Sequence, residues 1–275
     1  MPSDLTVTPQ IISLLAKQYL AFGRNNPTDT VAMSSQENLP PHRKIIPTEK
    51  NIKNVIVPSG LSEELEKSYL ATMEGAEKVG ERRRKFWNTL VDVVQKSGYK
   101  VGRQRGARVL NLACGKCPES IVLSAFFGGN YFGFPSDDVE LVGIDIKAED
   151  IDEARSLAGT SPSNMKFVAG DATSLDTYEE TQGKFDVVVI RHQNIANRNN
   201  GKEIWTKIFE QALSRLTDDG IIILTSHADE EHKMMIDAFR GLGGEVIVNQ
   251  SNPFAERLSR PEIAVDKNVA VIKKL

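Results

Sequence analysis

The sequence predicts an α/β protein: a doubly wound, mostly parallel seven-stranded sheet with a C-terminal antiparallel hairpin, preceded by an N-terminal helical region. Three observations predict it. From Arg108 onward, short apolar runs alternate with helical windows, the pattern of a sheet built from right-handed crossovers. The runs are nearly continuous, as in Phe185-Asp-Val-Val-Val-Ile190, which is what strands covered on both faces require. The last two runs, Glu245–Asn249 and Val269–Lys273, have no helical window between them, so they pair as a hairpin at the sheet edge.

In chain order, residues 1–60 read as an arm. It carries a short amphipathic helix within 1–22 (Ile11, Ile12, Leu14, Leu15, Tyr19 and Leu20 apolar), then a polar linker broken by Pro27, Pro40, Pro41, Pro47 and Pro58. Residues 61–104 read as an accessory helical region. Ser62 serves as N-cap, followed by Glu63 and Glu64; Gly75 and Gly80 divide the region into two helices, and Gly98 ends it. Residues 105–275 form the sheet domain. Its strands are Val109–Ala113, Leu141–Ile146, Met165–Ala169, Phe185–Ile190 and Ile221–Thr225, and its helices Pro118–Phe127, Glu149–Ala158, Lys202–Leu216 and Asp229–Arg240.

Composition bounds the function. The net charge of −3 over 275 residues excludes a general nucleic-acid coat. Residues Arg82–Arg108 nevertheless hold nine basic residues against one acidic, Asp92, and a basic face there would favour an anionic substrate. No apolar run reaches membrane-spanning length and no cationic leader opens the chain. The expectation is a cytoplasmic protein without a disulfide framework, since the only cysteines are Cys114 and Cys117.

Open parallel sheets bind ligands at the carboxyl ends of their strands, and those ends carry the polar residues of interest. The first strand runs into Asn111-Leu-Ala-Cys-Gly-Lys-Cys117, followed by Pro118 at the first helical position and Glu119 at the positive end of the helix dipole. The second ends in Asp145-Ile146, the third in Gly170-Asp171-Ala172, the fourth in Arg191-His192-Gln193-Asn194, and the fifth in Ser226-His227. A carboxylate at the second strand end suits the two hydroxyls of a ribose, and a second acid at the next strand end suits an exocyclic amine.

This ordered set resembles the class I S-adenosylmethionine-dependent methyltransferases over residues 105–275, terminal hairpin included. The resemblance implies S-adenosylmethionine as cofactor. Asn111, Ala113 and Gly115 would wrap its methionine part, Asp145 its ribose, and Ile146, Asp171 and Ala172 its adenine, while Arg191 would grip a carboxylate or pair with a neighbouring acid. His192 is the candidate proton acceptor, with Asn194 orienting the substrate. Tyr131, in the Gly/aromatic insert Phe127–Pro135, would either cover the pocket together with Phe132 and Phe134 and shield a sulfonium by cation–π contact, or sit in an ordinary surface loop whose aromatics plug the sheet edge. The usual first motif, Asp/Glu-x-Gly-x-Gly-x-Gly, keeps only Gly115 here, and Ala113 replaces a glycine only if its φ is negative.

Within that resemblance the expected methyl acceptor is a small molecule, with RNA or protein, or a cofactor-binding protein without catalysis, as alternatives; the sequence does not name the acceptor atom. Cys114-Gly-Lys-Cys117 at a helix start supports a smaller rival, a redox pair whose thiol pKa is lowered by the dipole. A nicotinamide-dependent oxidoreductase fits less well because pyrophosphate needs the missing glycines. No metal site is expected, the histidines being scattered.

Overall fold

The computed structural model describes the backbone of residues 43–46, 55–58 and 63–79 and the whole residues from 80 to 275, apart from 102–105, 130–135, 160–163, 197–199 and 259–262. The expected helix within 1–22 and the Tyr131, Phe132 and Phe134 flap lie outside the described residues. The chain divides into two units, Met1–Arg83 and Arg84–Leu275.

In the first unit, strands β1 (Arg43–Ile46) and β2 (Val55–Pro58) pair antiparallel, Arg43 opposite Pro58 and Ile46 opposite Val55. The sequence predicts only a linker or loosely packed arm there. Helix α1 (Glu63–Ser97) runs unbroken through Gly75 and Gly80, which corrects the expected division into two helices. An interior glycine costs a helix about 1 kcal/mol against alanine, too little to stop one this long. Gly98, with φ +70°, ends it as expected.

The second unit is a three-layer sandwich. In chain order it contains β3 (Arg108–Leu112), α2 (Ser120–Phe127), β4 (Glu140–Asp145), α3 (Ala148–Ala158), β5 (Met165–Ala169), β6 (Phe185–Arg191), α4 (Gly201–Arg215), β7 (Leu216–Ser226), α5 (Asp229–Gly241), β8 (Gly244–Ser251), the short pair β9 (Glu256–Arg257) and β10 (Ala264–Val265), and β11 (Asn268–Lys274). The sheet order is β5-β4-β3-β6-β7-β11-β8. Its first five strands are parallel, and β11 lies antiparallel between β7 and β8. The predicted seven-stranded, mostly parallel architecture is thus observed.

Period-two alternation splits the strand residues between two cores. Val109, Val187, Val189, Ile221 and Ile223 face Phe86, Leu90 and Val93 of α1, Val122 and Phe126 of α2, and Ile151 of α3. Leu110, Leu112, Val188, Ile190 and Ile222 face Ile208 and Phe209 of α4 and Met235 and Phe239 of α5. Burial on both faces explains why the strands read as continuous apolar runs.

The strand order reverses at β3, with β4 on one side and β6 on the other. Such a switch point opens a crevice at the strands' carboxyl ends.

Candidate functional site

The turn after β3 is knitted to the neighbouring strand ends. Cys114 N–H donates to Ile144 O at 3.0 Å, and Gly170 N–H to Asp145 O at 2.8 Å. The Asp145 side chain, nearly buried, accepts from Gly115 N–H at 2.8 Å through Oδ2 and from Lys147 N–H at 3.0 Å through Oδ1. The structure therefore brings Gly115 and Asp145 together, and leaves one lone pair on each carboxylate oxygen for a ligand. Ile146 beside it is 74% exposed, an apolar surface on the same edge.

The turn is strained. Ala113, Gly115 and Cys117 all have positive φ, at 50°, 52° and 44°. The condition that would make Ala113 a strain-free replacement, a negative φ, is not met: the left-handed geometry is kept without the glycine, at roughly 1 kcal/mol for each non-glycine residue.

Asp171 is exposed and accepts Thr173 N–H at 2.8 Å, while its own N–H bonds the Tyr178 hydroxyl at 2.8 Å. Its carboxylate closes its own turn, and Ala172 behind it is buried. Asn194 is exposed one residue beyond the buried Gln193.

Helix α2 begins at Ser120 rather than at Pro118, with Glu119 in the capping position but making no side-chain cap. Glu119 turns inward and is 5% exposed. Its Oε1 accepts from Asn111 Nδ2 at 2.7 Å and its Oε2 pairs with Arg191 Nη1 at 2.9 Å. A carboxylate thus stands at the end of β3 after all, supplied eight residues later in the chain. Asn111 Nδ2 also reaches Cys117 Sγ at 3.2 Å, while Asn111 Oδ1 is buried without a hydrogen-bond partner among the described residues.

Arg191 ends β6 and is fully engaged by protein groups. Besides Glu119, its Nη2 meets Asp266 Oδ2 at 2.6 Å and its Nε meets Asp266 Oδ1 at 3.2 Å, and the guanidinium lies 4.1 Å over the Phe86 ring. Burial alone would lower its pKa, but the Asp266 and Glu119 carboxylates hold it above the ordinary arginine value. Of the two roles expected for Arg191, pairing with neighbouring acids is the one its contacts display.

His192 follows with φ +59°. Its Nε2 lies 2.9 Å from Asp266 Oδ1, and its ring stacks on His227 at 4.1 Å between centroids. Burial chiefly lowers its pKa and the Arg191 charge adds to that, against the hydrogen bond His192 makes to the Asp266 carboxylate. For Asp266, burial would raise the pKa, yet Arg191 and His192 hold the carboxyl far below its usual range. The sequence assigns no site role to Asp266, Glu119 or His227. Only their position near strand ends could have flagged Glu119 and His227, and nothing in the sequence flags Asp266. Gln193, 1% exposed, has neither amide atom hydrogen-bonded to any described residue.

The Cys117 thiol is shifted opposite to what a redox role at a helix start requires. Both cysteines are free and buried. The Cys117 thiol is pushed well above its ordinary value by its hydrogen bond with Cys114, then by burial and the Glu119 charge. Among the described residues no cluster of three or more His, Cys, Asp or Glu side chains is arranged to hold a metal, and no helix is long and apolar enough to cross a membrane.

Over residues 103–254 the sequence matches a family model described as a methyltransferase domain. Among solved structures, the chain is similar to an S-adenosylmethionine-dependent methyltransferase of Clostridium acetobutylicum ATCC 824 (10% identity, 70% of this chain and 91% of that one, TM-score 0.48). It is also similar to a TehB-like SAM-dependent methyltransferase of Corynebacterium glutamicum ATCC 13032 (18% identity, 71% and 97%, TM-score 0.45). A third similarity is to TrmN of Thermus thermophilus (16% identity, TM-score 0.46), where 66% of this chain spans about half of that one, 47%.

Proposed function

The chain belongs to the methyltransferase-domain family, whose class I members use S-adenosylmethionine, and from that premise we propose that it methylates a small-molecule acceptor at the crevice between the ends of β3, β4 and β6. The observation that carries the site assignment is the Asp145–Gly115 hydrogen bond, which fixes the acid at the end of β4 and the turn after β3 as one unit.

The residues present fit the cofactor on three counts. Asp145 keeps free acceptor capacity beside the exposed Ile146, the combination a ribose and an aromatic base need. At the other end, Glu119 and Asp266 set two buried carboxylates against the single Arg191 guanidinium, leaving negative charge that a cationic ligand would balance. Among the described residues, Asn111 Oδ1 and the Gln193 amide are buried polar atoms without partners beside that cluster in sequence, and such orphans call for a ligand or water. In this reading Asn111, Ala113 and Gly115 hold the methionine part, Asp145 the ribose, and Ile146, Asp171 and Ala172 the adenine. The bound cofactor supplies a methyl carbon on a cationic sulfur. The protein supplies alignment and exclusion of water, with Asn194 on the substrate side and His192 as proton acceptor.

Charge at the carboxyl edge supports a small acceptor over a nucleic acid. Beyond Asp145 and Asp171, α3 opens with Glu149 and Asp150, and α5 with Asp229, Glu230 and Glu231. Polyanion binding needs the opposite sign. The same edge gives no support to the anionic substrate that the basic residues of 82–108 had suggested, and Arg108 of that set is paired with Glu140 at 2.7 Å.

The test is calorimetric titration with S-adenosylmethionine, S-adenosylhomocysteine and, in parallel, NAD. Micromolar binding of the sulfur nucleotides alone is expected, and binding of NAD alone would overturn the assignment.

A further inference from the structure

We propose that Asp266 is a positioning residue that fixes the His192 ring with its Nδ1 as proton acceptor, and that the methyl acceptor is therefore a hydroxyl or amine that sheds a proton as it is methylated. The proposal rests on the methyl-transfer reading above and names the acceptor class for that site.

The argument begins with the hydrogen between His192 Nε2 and Asp266 Oδ1, 2.9 Å apart. The Asp266 carboxylate is 8% exposed and surrounded by donors: Arg191 Nη2 on Oδ2 at 2.6 Å, and Arg191 Nε at 3.2 Å and Thr225 Oγ1 at 2.6 Å on Oδ1. An ionised carboxylate only accepts, so the shared hydrogen belongs to the imidazole and Nε2 carries it. A neutral ring with its proton on Nε2 presents a bare lone pair at Nδ1. Among the described residues nothing hydrogen-bonds that nitrogen, and the ring stays 28% exposed.

Both partners of this bond are held in left-handed backbone, His192 at φ +59° and Asp266 at +52°. Neither is glycine, so each conformation is strained, and strain of this kind persists only where the surroundings over-determine it. The second ring is fixed from the same segment. His227 Nδ1 donates to Ala264 O at 3.0 Å, two residues before Asp266, and stacks on His192 at an interplanar angle of 20°. Residues 264–266 thus hold both rings, one through a carbonyl and one through a carboxylate. The charged or titratable groups facing His192 are Asp266, Arg191 and His227, with Glu119 acting through Arg191.

The step balances. A lone pair on the acceptor atom forms the new bond to the methyl carbon as the carbon–sulfur bond breaks, its electrons remaining on sulfur. The acceptor's proton passes to His192 Nδ1, and the positive charge moves from sulfur to the imidazolium, which Asp266 stabilises across Nε2–H.

The test is the histidine ring-nitrogen NMR spectrum of isotope-labelled full-length protein, without ligand and with S-adenosylhomocysteine, with His192→Gln assigning the signals. A ring protonated at Nε2 and bare at Nδ1 is expected at about pH 8. Asp266→Asn should shift the ratio of the two ring tautomers by about tenfold, and Asp266→Glu should restore it. A wild-type ring protonated at Nδ1 overturns the proposal even if the variants do not fold, and so does a ratio unmoved in Asp266→Asn. A second arm follows S-adenosylhomocysteine production over simple phenols, primary amines and carboxylates. Turnover on phenols or amines that falls at least about 100-fold in His192→Gln, with cofactor affinity unchanged, supports it. Turnover confined to carboxylates, which have no proton to shed, overturns it. A wild type that binds no S-adenosylhomocysteine defeats the methyl-transfer reading instead, while the ligand-free spectrum still decides the pairing.

Discussion

Asp145 and Gly115 are joined by a 2.8 Å hydrogen bond that links the end of β4 to the turn after β3. The carboxylate therefore has two tasks. It satisfies the N–H of Gly115, and with Lys147 N–H on its other oxygen it fixes the start of the next segment. Its remaining lone pairs are the ones left for a ribose.

Asp145→Ala removes both tasks at once. Two backbone donors lose their acceptor, which costs about 1–2 kcal/mol of stability, while the fold persists. S-adenosylhomocysteine affinity is expected to fall at least about tenfold, or 1.4 kcal/mol. Calorimetry and chemical denaturation on the same preparation separate the two effects. Unchanged affinity in a destabilised variant would leave Asp145 with the turn alone.

Arg191 is the balance point of the buried charges. Its removal in Arg191→Met leaves Glu119 and Asp266, 6% and 8% exposed at their side chains, without a counter-ion. Breaking a buried pair from one side costs about 3–5 kcal/mol. Arg191→Lys should recover little, because an ammonium cannot reach Glu119 and both oxygens of Asp266 in one planar fork or stack on Phe86 in the same way. Denaturation midpoints of the two variants check this, and a fully stable lysine variant would contradict it.

Much of this framework was legible in the sequence because it depends on local patterns. Continuous apolar runs such as Val187–Ile190 give a doubly covered strand, and Asp145, Asp171 and His192 follow directly from where such runs stop. The ion network was not legible, since its members lie far apart in sequence: Arg191 meets Glu119 across 72 positions and Asp266 across 75. Glu119 was read as a dipole partner because Pro118 reads as a helix start; with the helix beginning at Ser120 instead, its side chain points into the core. Gly75 and Gly80 were over-read as breaks, since cumulative helix propensity outweighs two interior glycines.

Gly170 is required by the ring behind it. A Cβ there would lie 2.4 Å from Tyr178 Cζ and 2.7 Å from its hydroxyl oxygen, the atom that accepts Asp171 N–H. Gly170→Ala must displace the ring, at about 1–3 kcal/mol, and with it the hydrogen bond that sets Asp171. Weaker S-adenosylhomocysteine binding is expected together with lower stability. Tyr178→Phe, which removes the hydroxyl but not the ring, separates the bond from the clash: it should weaken binding with little loss of stability.

Stability should fall on acidification in two stages. His192 and His232 both have pKa values lowered in the folded protein, by burial first, opposed by Asp266 and Asn249 respectively. Below the ordinary histidine value of about 6.5 the unfolded chain takes up protons that the folded one refuses, so stability declines with falling pH. Asp266 acts in the same direction at lower pH. Its carboxyl is held down by Arg191 and His192 against the effect of burial, so its contribution is complete above the unfolded aspartate value of about 3.9 and is lost as pH falls through and below it. Urea midpoints measured from neutral to acid pH should therefore drop first through the histidine range and then through the carboxylate range. His192→Gln should flatten part of the first drop and leave the second, because Arg191 alone still opposes protonation of Asp266. A wild-type midpoint constant from pH 7 to pH 5 would mean that neither ring is buried neutral.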